Sequence, residues 1–172
     1  MTAKFLGWGL NPLCFGKKPN SDGYTFVELG MKITNGTPNP LHFSGYTTLI
    51  PELLEPDCKI REWGRNSNVL RLPSASDFIL AMPGETVIFF PDTILLCKGN
   101  HTGLTIDFGD GSVWVCDELK PGKYQFRFSY QKDFEPRRKF IYGAKAIEQL
   151  LLEKVWFGRV AAPFVELDLV QR

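Results

Sequence analysis

The sequence predicts a mainly β, antiparallel fold, and three observations carry that prediction. Of 172 residues, 14 are Phe, 5 Tyr and 4 Trp against only seven Ala, so the apolar residues are those that suit pleated strands. Sixteen Gly and 12 Pro supply tight turns at short intervals. Between those turns, apolar residues recur with period two. The length fits one domain at roughly 150 residues each, and such a chain can bury about 70% of its surface without a disulfide or metal staple. Hydrophobic residues at 44% and charged residues at 23% give the ordinary globular balance and exclude a disordered or collagen-like chain.

Residues 1–24 carry no sustained period and contain Gly7, Gly9, Pro12, Gly16, Pro19 and Gly23, which predicts an irregular arm. Phe5, Trp8 and Phe15 would lay it on a single domain of residues 25–172. From Phe26, the residues Val27, Leu29, Met31 and Ile33 alternate with Glu28, Gly30, Lys32 and Thr34, a half-buried strand closed by the turn Asn35-Gly36-Thr37-Pro38. Leu41, Phe43 and Tyr46 to Ile50 read as a second strand, with Pro51 and Pro56 closing it. Ile60 to Asp77 is weakly patterned and predicts short strands with loops. Pro83-Gly84-Glu85 is a turn that launches Thr86 to Phe90; Pro91-Asp92 breaks the run, and Thr93 to Cys97 resumes it.

Leu104 to Phe108 and Ser112 to Cys116 flank Gly109-Asp110-Gly111, the strongest hairpin signal in the chain. Tyr124 to Tyr130 is a period-two strand with Tyr124, Phe126, Phe128 and Tyr130 on the inward face. Phe164 to Val170 is the final strand. Before it, Gly143 to Lys154 is rich in helix formers, with Ala144, Ile147 and Leu151 on one stripe, and predicts a helical insertion at about 141–154.

Leu119-x-Pro121-Gly122-x-Tyr124 resembles the tyrosine-corner turn before the penultimate strand of immunoglobulin-like domains. Val155-Trp156-Phe157-Gly158, leading into an alternating terminal strand, is similar to the end of bacterial domains of that kind, and Asn35 and Pro83-Gly84-Glu85 fit the same order. The resemblance spans about residues 25–170 and implies an antiparallel immunoglobulin-like β-sandwich of about 7–9 strands. It departs from antibody domains at Phe126, where their inter-sheet cysteine would stand. Asp107-Phe108-Gly109-Asp110-Gly111 also resembles the signature of polycystic kidney disease domains, although a plain hairpin accounts for it.

Several function classes are excluded as expectations. Twenty basic and 19 acidic residues give a net charge of +1, so no global field steers the chain to nucleic acid or an anionic membrane. The longest apolar runs, such as Val87-Ile88-Phe89-Phe90, are far short of the ~20 residues that span a bilayer. The opening Phe5 to Leu10 is too short for a signal-peptide core, Leu13 is too large for a lipoprotein cleavage site before Cys14, Thr2 excludes myristoylation, and the ending carries no prenylation box. A soluble, cytoplasmic, bacterial protein is expected. The cysteines Cys14, Cys58, Cys97 and Cys116 form no C-x-x-C pair, so free thiols are expected and a zinc site is not. The sequons at Asn35 and Asn100 read as turns.

Catalysis by a nucleophile and base would need His42 or His101, and neither lies near a nucleophile motif. Asp107, Asp110 and Asp117 could gather around Ca²⁺ but show no full ligand set. No enzyme activity, cofactor or metal is expected. What remains is a non-enzymatic interaction module that meets an unknown protein partner or itself, on a surface built from the basic cluster and helical insertion: Arg137, Arg138, Phe140, Tyr142, Ile147, Leu151 and Trp156. A loop-based intracellular proteinase inhibitor is the alternative, and a carbohydrate- or ligand-binding β-sandwich the third.

Overall fold

The computed structural model describes residues 2–6, 23–67, 73–98, 101–132 and 155–169. The strands are β1 (Thr2–Leu6), β2 (Tyr24–Val27), β3 (Gly30–Thr34), β4 (Leu41–Ser44) and β5 (Leu49–Leu54). Next come β6 (Ile60–Arg61), β7 (Gly64–Ser67), β8 (Phe78–Ala81), β9 (Thr86–Phe89) and β10 (Asp92–Lys98). The last are β11 (His101–Asp107), β12 (Ser112–Cys116), β13 (Gly122–Lys132), β14 (Gly158–Ala161) and β15 (Val165–Leu169). The fold is therefore mainly β, and all the strand pairs are antiparallel. Among the described residues the one helical turn is a 3-10 turn at Ala75–Asp77, and the helical insertion expected over 141–154 lies outside them.

Among the described residues fifteen short strands stand where about seven to nine were expected, because several long runs are cut locally while their register continues. The run from Tyr24 to Thr34 splits into β2 and β3, and the run from Thr86 to Lys98 splits into β9 and β10. Yet the pairs Thr34↔Thr86 and Met31↔Phe89 on one side, and Val27↔Thr93 and Tyr24↔Leu96 on the other, lie on one unbroken register. Pro91 interrupts the ladder because it has no N–H to donate. The result is a long two-stranded ribbon, with Val27, Leu29, Met31 and Ile33 all buried as their alternation requires.

The ribbon feeds two sheets. One runs β1-β3-β9; the other runs β2-β10-β11-β12-β7 and contains the expected Asp107–Ser112 hairpin. The arm expected to be irregular over 1–24 thus begins with a strand, since Thr2–Leu6 pairs with β3, and Tyr24 already belongs to β2. A third sheet places β13 between β5 and the terminal strands. The second predicted strand is also two: β4 pairs with β8, a turn intervenes at Gly45–Thr48, and β5 runs on through Pro51. Proline is tolerated there because β6 reaches only Leu53 and Leu54, which leaves β5 an edge at Pro51. The final strand, expected over Phe164 to Val170, is β15, and a further strand, β14, precedes it. β14 and β15 lie end to end along β13 with a one-residue slip between them, a bulge at Ala162-Pro163-Phe164.

Inward side chains from these sheets form one core. Tyr124, Phe126, Phe128 and Tyr130 are all buried, as the period-two pattern predicts. Phe128 meets Phe108 edge to face at 5.9 Å between ring centres, Phe126 meets Trp63 at 6.4 Å, and Tyr130 is flanked by Phe43, Phe89 and Trp156 at 5.8–6.2 Å. The tyrosine corner is present as a hydrogen-bond pair: the Tyr124 hydroxyl donates to the Lys120 carbonyl at 2.9 Å and accepts from the Lys120 N–H at 3.0 Å. Two other turns noted in the sequence meet in space. Asn35 is fully buried; its Nδ2 donates to the carbonyls of Asn39 and Ala81, its N–H donates to Glu85, and its carbonyl accepts from Gly84.

Candidate functional site

The outward face of the ribbon follows from the same alternation that fills the core. With Val27, Leu29, Met31 and Ile33 inward, Phe26, Glu28, Gly30 and Lys32 must point out, and across the ladder so must Ile88, Phe90, Asp92 and Ile94. Four large apolar side chains consequently stand in solvent: Phe26 is 71% exposed, Phe90 51%, Ile88 44% and Leu96 39%. Phe90 is held in place. A Cβ added at Gly30 would lie 2.5 Å from Cδ1 and Cε1 of the Phe90 ring, so the ring occupies the space that a side chain at position 30 would take. Among the described residues, Glu28, Lys32 and Asp92 form no ion pair.

Beside Phe108, a buried carboxylate closes the end of the molecule. Asp110 is 1% exposed. Its Oδ2 accepts from the Thr47 N–H at 2.9 Å, and its Oδ1 accepts from the Ser112 N–H at 2.8 Å and the Ser112 hydroxyl at 2.5 Å. The β11–β12 hairpin is thereby latched to the β4–β5 turn, where Thr47 holds φ at 52°, a left-handed conformation costly for a β-branched residue. Asp107 uses Oδ1 within the hairpin, accepting from the Gly109 N–H at 2.7 Å. Among the described residues no three His, Cys, Asp or Glu side chains are grouped to hold a metal ion. Crevices of about 220 and 170 Å³ flank the latch, the larger lined by Arg65, Thr47, Asp110 and Trp114. Arg65 stacks over the Trp114 ring at 5.3 Å. Both volumes fall below the roughly 300 Å³ at which small-molecule pockets begin.

A polar cluster sits on the outer side of β13. Glu52 accepts from Arg127 Nε at 2.9 Å and Nη2 at 2.6 Å through one oxygen; its other oxygen takes the Ser129 hydroxyl and Arg159 Nη2 at 3.3 Å. The bulge brings Phe164 over the Arg127 guanidinium at 4.2 Å. Burial works to raise the Glu52 carboxyl, but the hydrogen bonds from Ser129 and Arg127 and the Arg127 charge outweigh it, so Glu52 titrates below its ordinary value. Within the cluster both Glu52 oxygens are engaged.

Of the residues expected to form a binding surface, Arg137, Arg138, Phe140, Tyr142, Ile147 and Leu151 lie outside the described residues. Trp156 is half-buried, its ring packs on Phe43 and Tyr130, and its backbone N–H donates to the His42 carbonyl at 2.8 Å. Its ring serves the core. His42 and His101 stand on β4 and β11, in different sheets. Cys58 and Cys116 are free thiols, and burial pushes the Cys116 thiol up. The sequence signal for the ribbon face is the uninterrupted Val87-Ile88-Phe89-Phe90, which on a strand must turn two apolar residues outward. No family model, curated protein or solved structure matches this chain.

Proposed function

We propose that the chain is a non-enzymatic recognition module built on an immunoglobulin-like β-sandwich and working inside the cell. The topology reading is supported by the Tyr124 corner at the start of β13 and by the bulged terminal strand beside it. The single observation that carries the function is the ribbon's outward face, where apolar side chains remain in water while the interior beneath them is closely packed. Two exposed apolar pairs, Phe26 with Leu96 and Ile88 with Phe90, flank the charged level of Glu28 and Asp92; apolar patches rimmed by polar residues mark interaction sites, and a β ribbon presents them at little ordering cost.

The test is site-specific photo-crosslinking in the host cell. A benzophenone side chain at Ile88 is expected to give adducts of defined mass, and the same group at exposed Gln125 on β13 is expected to give none. Equal labelling at both positions, or none at Ile88, overturns the reading.

A further inference from the structure

We propose that the ribbon's outward face takes a second copy of this chain, across a two-fold axis that crosses the strands at Gly30 and Phe90. The inference rests on the recognition reading above and names its partner. Face-to-face pairing of two copies admits two simple axes, and charge separates them. An axis running along the strands would set Glu28 of one copy against Asp92 of the other, carboxylate on carboxylate. An axis running across the strands at Gly30 reverses their direction and sets Glu28 against Lys32 of the other copy, twice by symmetry. At about 3.3 Å per residue, each ion pair then lies roughly 7 Å from the axis.

On the axis itself the two Phe90 rings meet. Each is already seated over its own Gly30 and half in water, so little side-chain freedom remains to be lost on contact. The Glu28–Lys32 pairs flank this aromatic centre along one strand, and along the other each Asp92 stands beside Ile88 of the second copy at the solvent-exposed edge; an aromatic centre with a polar rim is the anatomy of a binding hot spot. The closed two-fold leaves no repeat of the surface unpaired, so the assembly stops at two.

The size of the face sets the strength. Eleven residues from Tyr24 to Thr34 extend about 35 Å, and two strands with their side chains are about 10 Å wide, a footprint of about 350 Å² per copy. A standard interface covers about 800 Å² per partner, so a weak, reversible dimer is expected.

Sedimentation equilibrium of the full chain from about 1 to 500 μM reads this directly. The wild type is expected to show a monomer–dimer transition within that range. Phe90→Ser, Lys32→Glu and Glu28→Lys should each weaken it by about tenfold or more, with circular dichroism reporting that each variant is folded. An equimolar mixture of Lys32→Glu and Glu28→Lys should recover the wild-type dimer, because both facing pairs become opposite in charge again. A wild type that stays monomeric throughout, or a mixture that fails to recover, overturns the proposal. If the monomeric chain still gives Ile88 crosslinks to other proteins, the second copy is excluded and the recognition reading stands.

Discussion

Replacing Asp110 by Ala tests whether this carboxylate is a latch between the hairpin and the β4–β5 turn. The substitution strands three donors: the amides of Thr47 and Ser112 and the Ser112 hydroxyl. The hydroxyl can rotate toward another acceptor, whereas the two amides are fixed by the backbone. An orphaned buried donor costs about 1–3 kcal/mol, so the two amides cost about 4 kcal/mol, and relief of the buried charge offsets about 1. A net loss of about 3 kcal/mol lowers Tm by about 6–12 °C in a chain of this size. Asp110→Asn keeps the acceptor toward Ser112 but aims N–H at the Thr47 N–H, and should lose about half as much. Urea unfolding gives the shift as a lower midpoint at unchanged slope, and hydrogen exchange should show lost protection at the Thr47 and Ser112 amides. A loss under about 1 kcal/mol refutes the latch. So does a rise in Tm of several degrees on adding millimolar Ca²⁺ to the wild type, because a carboxylate engaged with three donors is not expected to bind it.

Three further outcomes are expected. Tyr124→Phe removes both hydrogen bonds to Lys120 while keeping the ring in the core, and should cost about 1–2 kcal/mol by chemical denaturation; a neutral result would deny the corner a stabilising role. Glu52 has a depressed folded-state pKa, so its contribution is complete above its ordinary value of 4.5 and fades as pH falls through the lower folded value; Glu52→Gln should be less stable than wild type at pH 7, with a gap that narrows in melts at decreasing pH. Gly30→Ala forces the Phe90 ring to swing into solvent, and because that ring is half-exposed the cost should be about 1 kcal/mol; unchanged chemical shifts for the Phe90 ring would contradict the seating.

Alternation proved the most informative feature of the sequence because it is a geometric property of the strand itself. Val27 to Ile33 and Tyr124 to Tyr130 could be assigned to the interior from spacing alone. The Tyr124 corner was legible for a similar reason, since its partner lies four residues away. Strand breaks were less legible. Pro51 looks like a stop, and it is an interior residue only because β6, on the side away from β13, does not reach β5 at that level. Trp156 carries no local sign that Tyr130 will cover one side of it.

By itself the chain determined the β class, the inward face of each long strand and the turns that end them, because these depend on neighbours within a few residues. Tertiary structure alone decided that β2–β3 and β9–β10 share one register across two breaks, that Asp110 reaches Thr47 from 63 residues away, and that a glycine seats the Phe90 ring. Those contacts join segments far apart in sequence, where composition and period carry no information about which strand becomes whose neighbour. Among the described residues the aromatic rings therefore divide in two: most are held by packing, and Phe26 and Phe90 face outward on the ribbon.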